Sequence, residues 1–104
     1  MPAIDLEGLR AAVQDDWYIM TTHAKQRMGL RRVTDADVKF VVTTGDVIEE
    51  YPNAQPFPKC LLMAHVSGQP LYVVCAFDGR YAYIITVHRY DPEEWADPWT
   101  RKRK

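Results

Sequence analysis

The run Leu71-Tyr72-Val73-Val74-Cys75-Ala76-Phe77-Asp78-Gly79-Arg80-Tyr81-Ala82-Tyr83-Ile84-Ile85-Thr86-Val87-His88 carries the reading on which the fold turns. Leu71 to Phe77 is nearly all apolar, as expected of a central strand covered on both faces. Asp78-Gly79 is a favoured hairpin dipeptide, because the tightest turns need positive φ at their central residues. Arg80 to His88 is then the returning strand. Strict alternation puts Tyr81, Tyr83, Ile85 and Val87 on one face, and Ala82, Ile84, Thr86 and His88 on the other.

Working upstream, Ser67-Gly68-Gln69-Pro70 reads as a turn and Lys59 to Val66 as the preceding strand. The loop from Pro52 to Pro58 contains three prolines and belongs on the surface. Val47, Ile48 and Tyr51 make a short strand ending at Pro52. Before Asp46 the apolar period changes from two to that of a helix. Thr34 as N-cap, Asp37 at the third helical position and the flanking pair Val33 and Val38 form a capping box with a hydrophobic staple. Val38, Val41 and Val42 continue as a stripe, and Gly45 closes the helix. A second helix starts with Thr22 as N-cap and ends at Gly29. Residues 5 to 14 form a first helix, with Leu6, Leu9 and Val13 on one side and Asp5 as cap. Trp17 to Thr21 is an extended connector or short strand.

Downstream, Asp91-Pro92-Glu93-Glu94 reads as a capped helical turn with proline in its first position. Trp95 and Trp99 then fold back onto the body. Helices first and strands afterwards predict an α+β domain spanning residues 1–104, its N-terminal helices packed on a three- to four-stranded antiparallel sheet.

The whole-chain totals narrow the function. The formal net charge is −1, but Arg101-Lys102-Arg103-Lys104 hold four of the 13 cations. Residues 1–100 therefore carry nine cations against 14 acids, a net charge of −5. Unassisted long-range attraction to nucleic acid is disfavoured, so any such contact must be local. Residues 101–104 read as a flexible basic tail. Cys60 and Cys75 lie in apolar runs and read as buried thiols; their spacing suits no zinc site, and no metal or cofactor is indicated. No apolar run is long enough to span a bilayer and the first residues do not resemble a secretory signal, so a cytoplasmic protein without membrane contact is expected.

The local exception to the acidic balance is His23-Ala24-Lys25-Gln26-Arg27-Met28-Gly29-Leu30-Arg31-Arg32, with four cations, one histidine and no acid. His23 and Arg27 are four apart, so a helix here puts them on one face. His23 falls in the first turn, where free N–H groups and the helix dipole attract anions. A solvated cationic face is the plainer reading of the same spacing.

In order along the chain, Thr22-His23-Ala24-x-x-Arg27-Met28-x-x-Arg31, Gly45-Asp46-Val47-Ile48-Glu49-Glu50-Tyr51-Pro52, Pro58-Lys59-Cys60-Leu61-Leu62, Pro70-Leu71-Tyr72-Val73-Val74 and Ile84-Ile85-Thr86-Val87 resemble the family of domain of unknown function 4258 (DUF4258). That family is similar to the RelE/ParE superfamily of small bacterial toxins. The resemblance runs from about Thr21 to Trp95. It implies N-terminal helices on a curved antiparallel sheet, and a toxin paired with a small antitoxin of zinc-finger or helix-turn-helix type. It also implies cleavage of RNA, including ribosome-bound RNA, as an mRNA interferase. Two positions depart from the family pattern: Tyr72 stands where histidine is usual, and His88 where tyrosine is usual.

Metal-independent RNA cleavage needs a base for the 2′-OH, an acid for the leaving 5′-oxygen and cations for the pentacoordinate phosphorane. His23 and His88 are the acid–base candidates, and Arg27 joins them as the catalytic cation. Arg31 and Lys59 are candidate phosphate ligands. Tyr51, Tyr72 and Tyr90 are candidates for base stacking or hydrogen bonding. Each has a structural alternative: His88 facing solvent, the tyrosines as core or edge residues, Arg27 paired with Glu49 or Glu50. The alternative function is a non-catalytic binding module, or an inactive relative acting through protein partners.

Overall fold

A computed structural model describes residues 4–102. In chain order the elements are α1 (Leu6–Gln14), β1 (Tyr18–Met20), α2 (Thr22–Arg31), α3 (Asp35–Thr44), β2 (Asp46–Tyr51), β3 (Lys59–Val66), β4 (Gln69–Phe77), β5 (Ala82–Arg89), β6 (Trp95–Asp97) and β7 (Thr100–Arg101). The class is α+β. The sheet, however, has five strands in the order β1-β5-β4-β3-β2, with β6 and β7 forming a separate hairpin. It is mixed rather than purely antiparallel: β1 lies parallel to β5, Tyr18 opposite Ala82 and Met20 opposite Ile84. Of the two readings of Trp17–Thr21, the short strand holds, as the edge strand Tyr18–Met20. Among the described residues, no helix is long and apolar enough to cross a membrane.

The helix boundaries follow local chemistry. Asp5 caps α1, accepting from the Gly8 amide at 3.0 Å. The α3 capping box is formed in both directions: Asp37 N–H donates to Thr34 Oγ1 at 3.1 Å, and Thr34 N–H to Asp37 Oδ2 at 3.0 Å. At the other end of α3, Arg10 donates to the carbonyls of Val42 and Gly45, at 3.0 and 2.5 Å, occupying acceptors the helix leaves open. The α2 limits differ from the sequence reading. Thr21, not Thr22, is its N-cap, and the helix runs through Gly29 to Arg31. Arg32 takes the left-handed turn at φ 54° that glycine was expected to supply. A glycine inside a helix costs only about 1 kcal/mol relative to alanine, too little to end α2 before Arg32 does.

Two apolar clusters lie on opposite faces of the sheet. Alternate residues of β4 (Leu71, Val73, Cys75, Phe77) face the helices with Leu9, Val13, Met28, Val38 and Val42. On the other face Leu61, Met63 and Tyr72 are covered by Trp95 of β6. β3 and β4 are joined by Ser67-Gly68, both with positive φ, a two-residue turn. The Asp78-Gly79 connection is longer, because β5 starts at Ala82 rather than Arg80. Asp78 holds it by accepting from the Arg80 and Tyr81 amides and from the Tyr83 hydroxyl.

The alternation expected along β5 breaks at one residue. Val74 pairs with Thr86, but Cys75 pairs with Ile84, leaving Ile85 unpaired as a bulge. Ala82, Ile84 and Val87 consequently enter the helix-side core. Thr86 and His88 are turned to the opposite face, where His88 lies directly across from Tyr72.

Candidate functional site

A cleft of about 320 Å³ opens where α2, the end of β5 and the β6–β7 hairpin meet. Arg27 and Arg31 form the α2 wall, four residues apart and so one above the other. Thr86, His88 and Arg89 come from β5, carried to this side by the bulge at Ile85. Asp91 and Glu94 belong to the turn that follows; Trp95 and Arg101 close the far side. The expected capped turn is present: Asp91 accepts from the Glu93 amide at 2.9 Å, and its carbonyl accepts from Glu94 and Trp95.

Among the described residues, Arg27, Arg31 and Arg89 make no ion pair, so three guanidinium groups remain available to an anion. Arg101 is different. Its Nε and Nη2 donate to the two carboxylate oxygens of Glu49 at 2.9 and 3.0 Å, its Nη1 to Glu94 at 3.2 Å, and it sits 4.4 Å above the Trp95 ring. Bidentate pairing and an aromatic platform fix its orientation. The Arg101 guanidinium holds the Glu49 carboxyl below the usual range, with a second hydrogen bond from the Tyr51 hydroxyl contributing.

Burial pushes the His88 imidazole below its ordinary value, and the Arg101 and Arg31 charges push the same way. A hydrogen bond with the Arg89 backbone and the Glu94 carboxylate oppose this. The net effect favours a neutral ring near neutral pH, the form that accepts a proton. Its face stacks on Tyr72, with ring centroids 5.2 Å apart and planes 10° from parallel.

The sequence candidates divide accordingly. Arg27, Arg31 and His88 share the cleft. His23 does not line it, but lies one turn back on α2, its Nε2 accepting from Arg27 Nε at 3.5 Å. Tyr72 is fully buried and its hydroxyl is spent on the Pro98 carbonyl at 2.6 Å, so it cannot stack a base; burial raises it to about 12. Tyr90 donates to the Trp95 carbonyl at 3.3 Å and packs against the same cluster. Tyr51 is exposed, does not line the cleft, and bonds Glu49, the partner of Arg101. Lys59 pairs with Tyr51 and Ala76 at the end of the sheet away from His88, which pairs with Tyr72. Arg27 does not pair with Glu49 or Glu50.

Sequence reading missed Arg101 and its partners. Arg101 lies in β7 and the Lys102 amide donates to the Glu94 carbonyl at 2.8 Å, so these two residues are ordered; residues 103–104 lie outside those described. The local signal for the hairpin is the turn dipeptide Asp97-Pro98 with a tryptophan on either side, Trp95 and Trp99. A second concavity, about 330 Å³ around Trp17, Phe77 and Arg80, contains none of the candidate residues.

A family model described as domain of unknown function (DUF4258) matches residues 20–89. The matched segment contains the α2 and β5 walls of the cleft and stops short of the hairpin that carries Trp95 and Arg101. No curated protein and no solved structure matches the chain.

Proposed function

We propose that this chain, which belongs to the DUF4258 family, is the toxin-like component of a toxin–antitoxin pair and a metal-independent endoribonuclease of RelE/ParE type. One observation carries the reading: Arg27, Arg31 and Arg89, none in an ion pair among the described residues, line one cleft with a neutral-leaning His88. Such a group suits a phosphodiester better than an uncharged ligand, since arginine offers planar, bidentate donors to phosphate oxygens.

In this mechanism the RNA backbone enters the cleft with its scissile phosphate between Arg27 and Arg31. His88 takes the 2′-OH proton as the 2′-oxygen bonds to phosphorus. The bond from phosphorus to the 5′-oxygen breaks, leaving a 2′,3′-cyclic phosphate and a 5′-hydroxyl. The leaving 5′-oxygen takes its proton from water at the mouth of the cleft, since His23 does not line it. The arginines bind the phosphorane more strongly than the diester because charge grows on its oxygens. A cognate antitoxin of zinc-finger or helix-turn-helix type would inhibit by covering α2.

A second reading has its own support. Asp91 and Glu94 line the same cleft, and Arg101 is already neutralised by Glu49 and Glu94. Mixed charge of this kind suits a protein partner, and a module that acts by occupancy rather than cleavage.

The deciding experiment is induced expression in a bacterial host of wild type, Arg27→Ala and His88→Ala, following growth and RNA ends. Growth arrest with new 5′-hydroxyl RNA ends, relieved by either substitution at equal protein level, is the expected result. Arrest with intact RNA would select the binding module. Normal growth with abundant soluble wild-type protein, and no cutting of RNA by that protein in chelator, would end the ribonuclease reading.

A further inference from the structure

Four side chains from three parts of the fold make successive stacked contacts beneath the cleft. The Arg101 guanidinium lies 4.4 Å from the Trp95 ring centre, Trp95 lies 4.7 Å from Tyr72 at 22°, and Tyr72 lies 5.2 Å from His88 at 10°. Arg101 and His88 are the two ends of this series, and both line the cleft. Tyr72 is its centre. Its hydroxyl also donates to the Pro98 carbonyl, in the turn between β6 and β7. One buried side chain therefore touches the imidazole through its ring and the hairpin through both ring and hydroxyl.

We propose that Tyr72 is the positioning residue of the cleft, fixing the His88 ring by stacking and setting the height of Arg101 through its hydroxyl bond to the β6–β7 turn. The proposal rests on the reading of this cleft as an anion site acting through His88, and deepens it by naming what aligns the two walls. The His88 face is covered by Tyr72, which leaves the ring edge, with its nitrogens, to meet a ligand. The hairpin is short, three residues in β6 and two in β7. A hairpin of that size does not hold itself in water and depends on what it packs against. It is anchored to the sheet by Trp95, buried against Leu61, Met63 and Tyr72, by the hydroxyl bonds of Tyr72 and Tyr90, by the pairing of Arg101 with Glu49 and by the Trp99 Nε1 bond to Asp46 at 3.0 Å. The Arg101–Glu49 pair is half-buried and the Arg101–Glu94 pair open to water, so solvent screens both to different degrees. Of the polar anchors, the buried Tyr72 phenol is the one that water does not compete for.

Two substitutions separate the ring from the hydroxyl. Tyr72→Phe keeps both stacks and removes only the bond to Pro98. Tyr72→Leu keeps an apolar side chain in the core but removes both stacks. The full chain has three histidines, so His88 can be followed by the NMR titration of its ring protons, assigned by comparison with His23→Gln and His65→Gln. Tyr72→Phe is expected to leave the His88 titration close to wild type while hydrogen exchange of the Trp95 and Lys102 amides speeds by about tenfold, the scale of one lost buried hydrogen bond. Tyr72→Leu is expected to move the His88 midpoint up toward 6.5, because the ring that excludes water is gone. Binding of a short non-cleavable oligodeoxynucleotide should weaken in both variants.

Folded Tyr72→Leu with an unchanged His88 midpoint would overturn the stacking role. Wild-type exchange and wild-type oligonucleotide affinity in Tyr72→Phe would overturn the role of the hydroxyl. Should Tyr72→Leu fail to fold, Tyr72→Met takes its place in the test of stacking by the His88 midpoint, and Tyr72→Phe still decides the role of the hydroxyl by its exchange rates. None of these readouts needs RNA cleavage, so a wild type that cuts nothing would sink the ribonuclease reading and leave the positioning role standing or falling separately.

Discussion

Replacing Gly29 by alanine tests where α2 ends, and with it whether Arg27 and Arg31 share a face. In the structure Gly29 is an exposed interior residue of α2, and a β-carbon built on it meets nothing within 4 Å. The substitution therefore removes backbone freedom from the unfolded chain and adds no clash. The expected gain is about 0.5–1 kcal/mol. For a domain of this size each kcal/mol shifts the thermal midpoint by about 4–8 °C, so the variant should melt about 2–8 °C higher. A Gly29 that ended the helix in the left-handed conformation would give the opposite sign, since a β-carbon there costs about 1–2 kcal/mol. Thermal unfolding by far-UV circular dichroism, with urea titration to check that the m-value is unchanged, distinguishes the two. Arg32→Gly, at the residue that does take positive φ, should raise the midpoint as well. A lower midpoint for Gly29→Ala would refute the extension of α2 to Arg31, and the paired α2 wall of the cleft would go with it.

Gly45→Ala should behave oppositely, although both glycines follow the same sequence signal. Its β-carbon would lie 2.7 Å from the Met63 carbonyl oxygen and closer still to that of Val41, both backbone atoms that cannot rotate away. Forcing α3 from β3 should cost about 1–3 kcal/mol, and an unchanged urea midpoint would mean that the two backbones are not in contact. His88 links stability to pH with a defined sign: its folded midpoint is depressed, so between that midpoint and 6.5 the unfolded chain binds more protons. Stability should therefore rise with pH through that window, the penalty being fully present below it, and His88→Asn should lose this part of the slope. Arg101→Ala should raise the His88 midpoint and Glu94→Gln should lower it, read by NMR titration; equal midpoints in both would show that neither charge reaches the imidazole.

The parts of the fold legible in the sequence are those governed by chemistry within a few residues. The α3 capping box joins residues three apart, and it formed as the residue types predict. The β3 and β4 strands follow from unbroken apolar runs, because both of their faces are covered, one by the helices and one by Trp95. What could not be read depends on partners far along the chain. Glu49 looks like a solvated strand residue until Arg101 arrives 52 positions later. Tyr72 looks like a base-stacking candidate until Trp95 and Pro98 cover it. β1 has only three residues, too few for any periodicity, and exists because β5 offers an open edge beside it.

The bulge at Ile85 shows why the site was harder to read than the fold. A β-strand alternates faces with period two, so one inserted residue exchanges the faces of everything after it. Ile85 is itself a good strand residue and gives no local sign of the insertion. What marks it is a long-range contact from Thr21, the residue that caps α2. Thr21 Oγ1 accepts from the Ala24 amide at 3.1 Å as the helix cap, and donates its own proton to the Ile85 carbonyl at 3.0 Å; its amide donates to the neighbouring Ile84 carbonyl at 3.1 Å. The residue that starts the helix carrying Arg27 and Arg31 thus also bonds both carbonyls at the bulge. Had β5 kept its regular alternation, His88 would lie with Ile84 on the helix-side core and the arginines would face a cleft without an imidazole. The two walls of the site share one threonine, and this shared bond is what makes the cationic helix and the histidine strand parts of a single cleft.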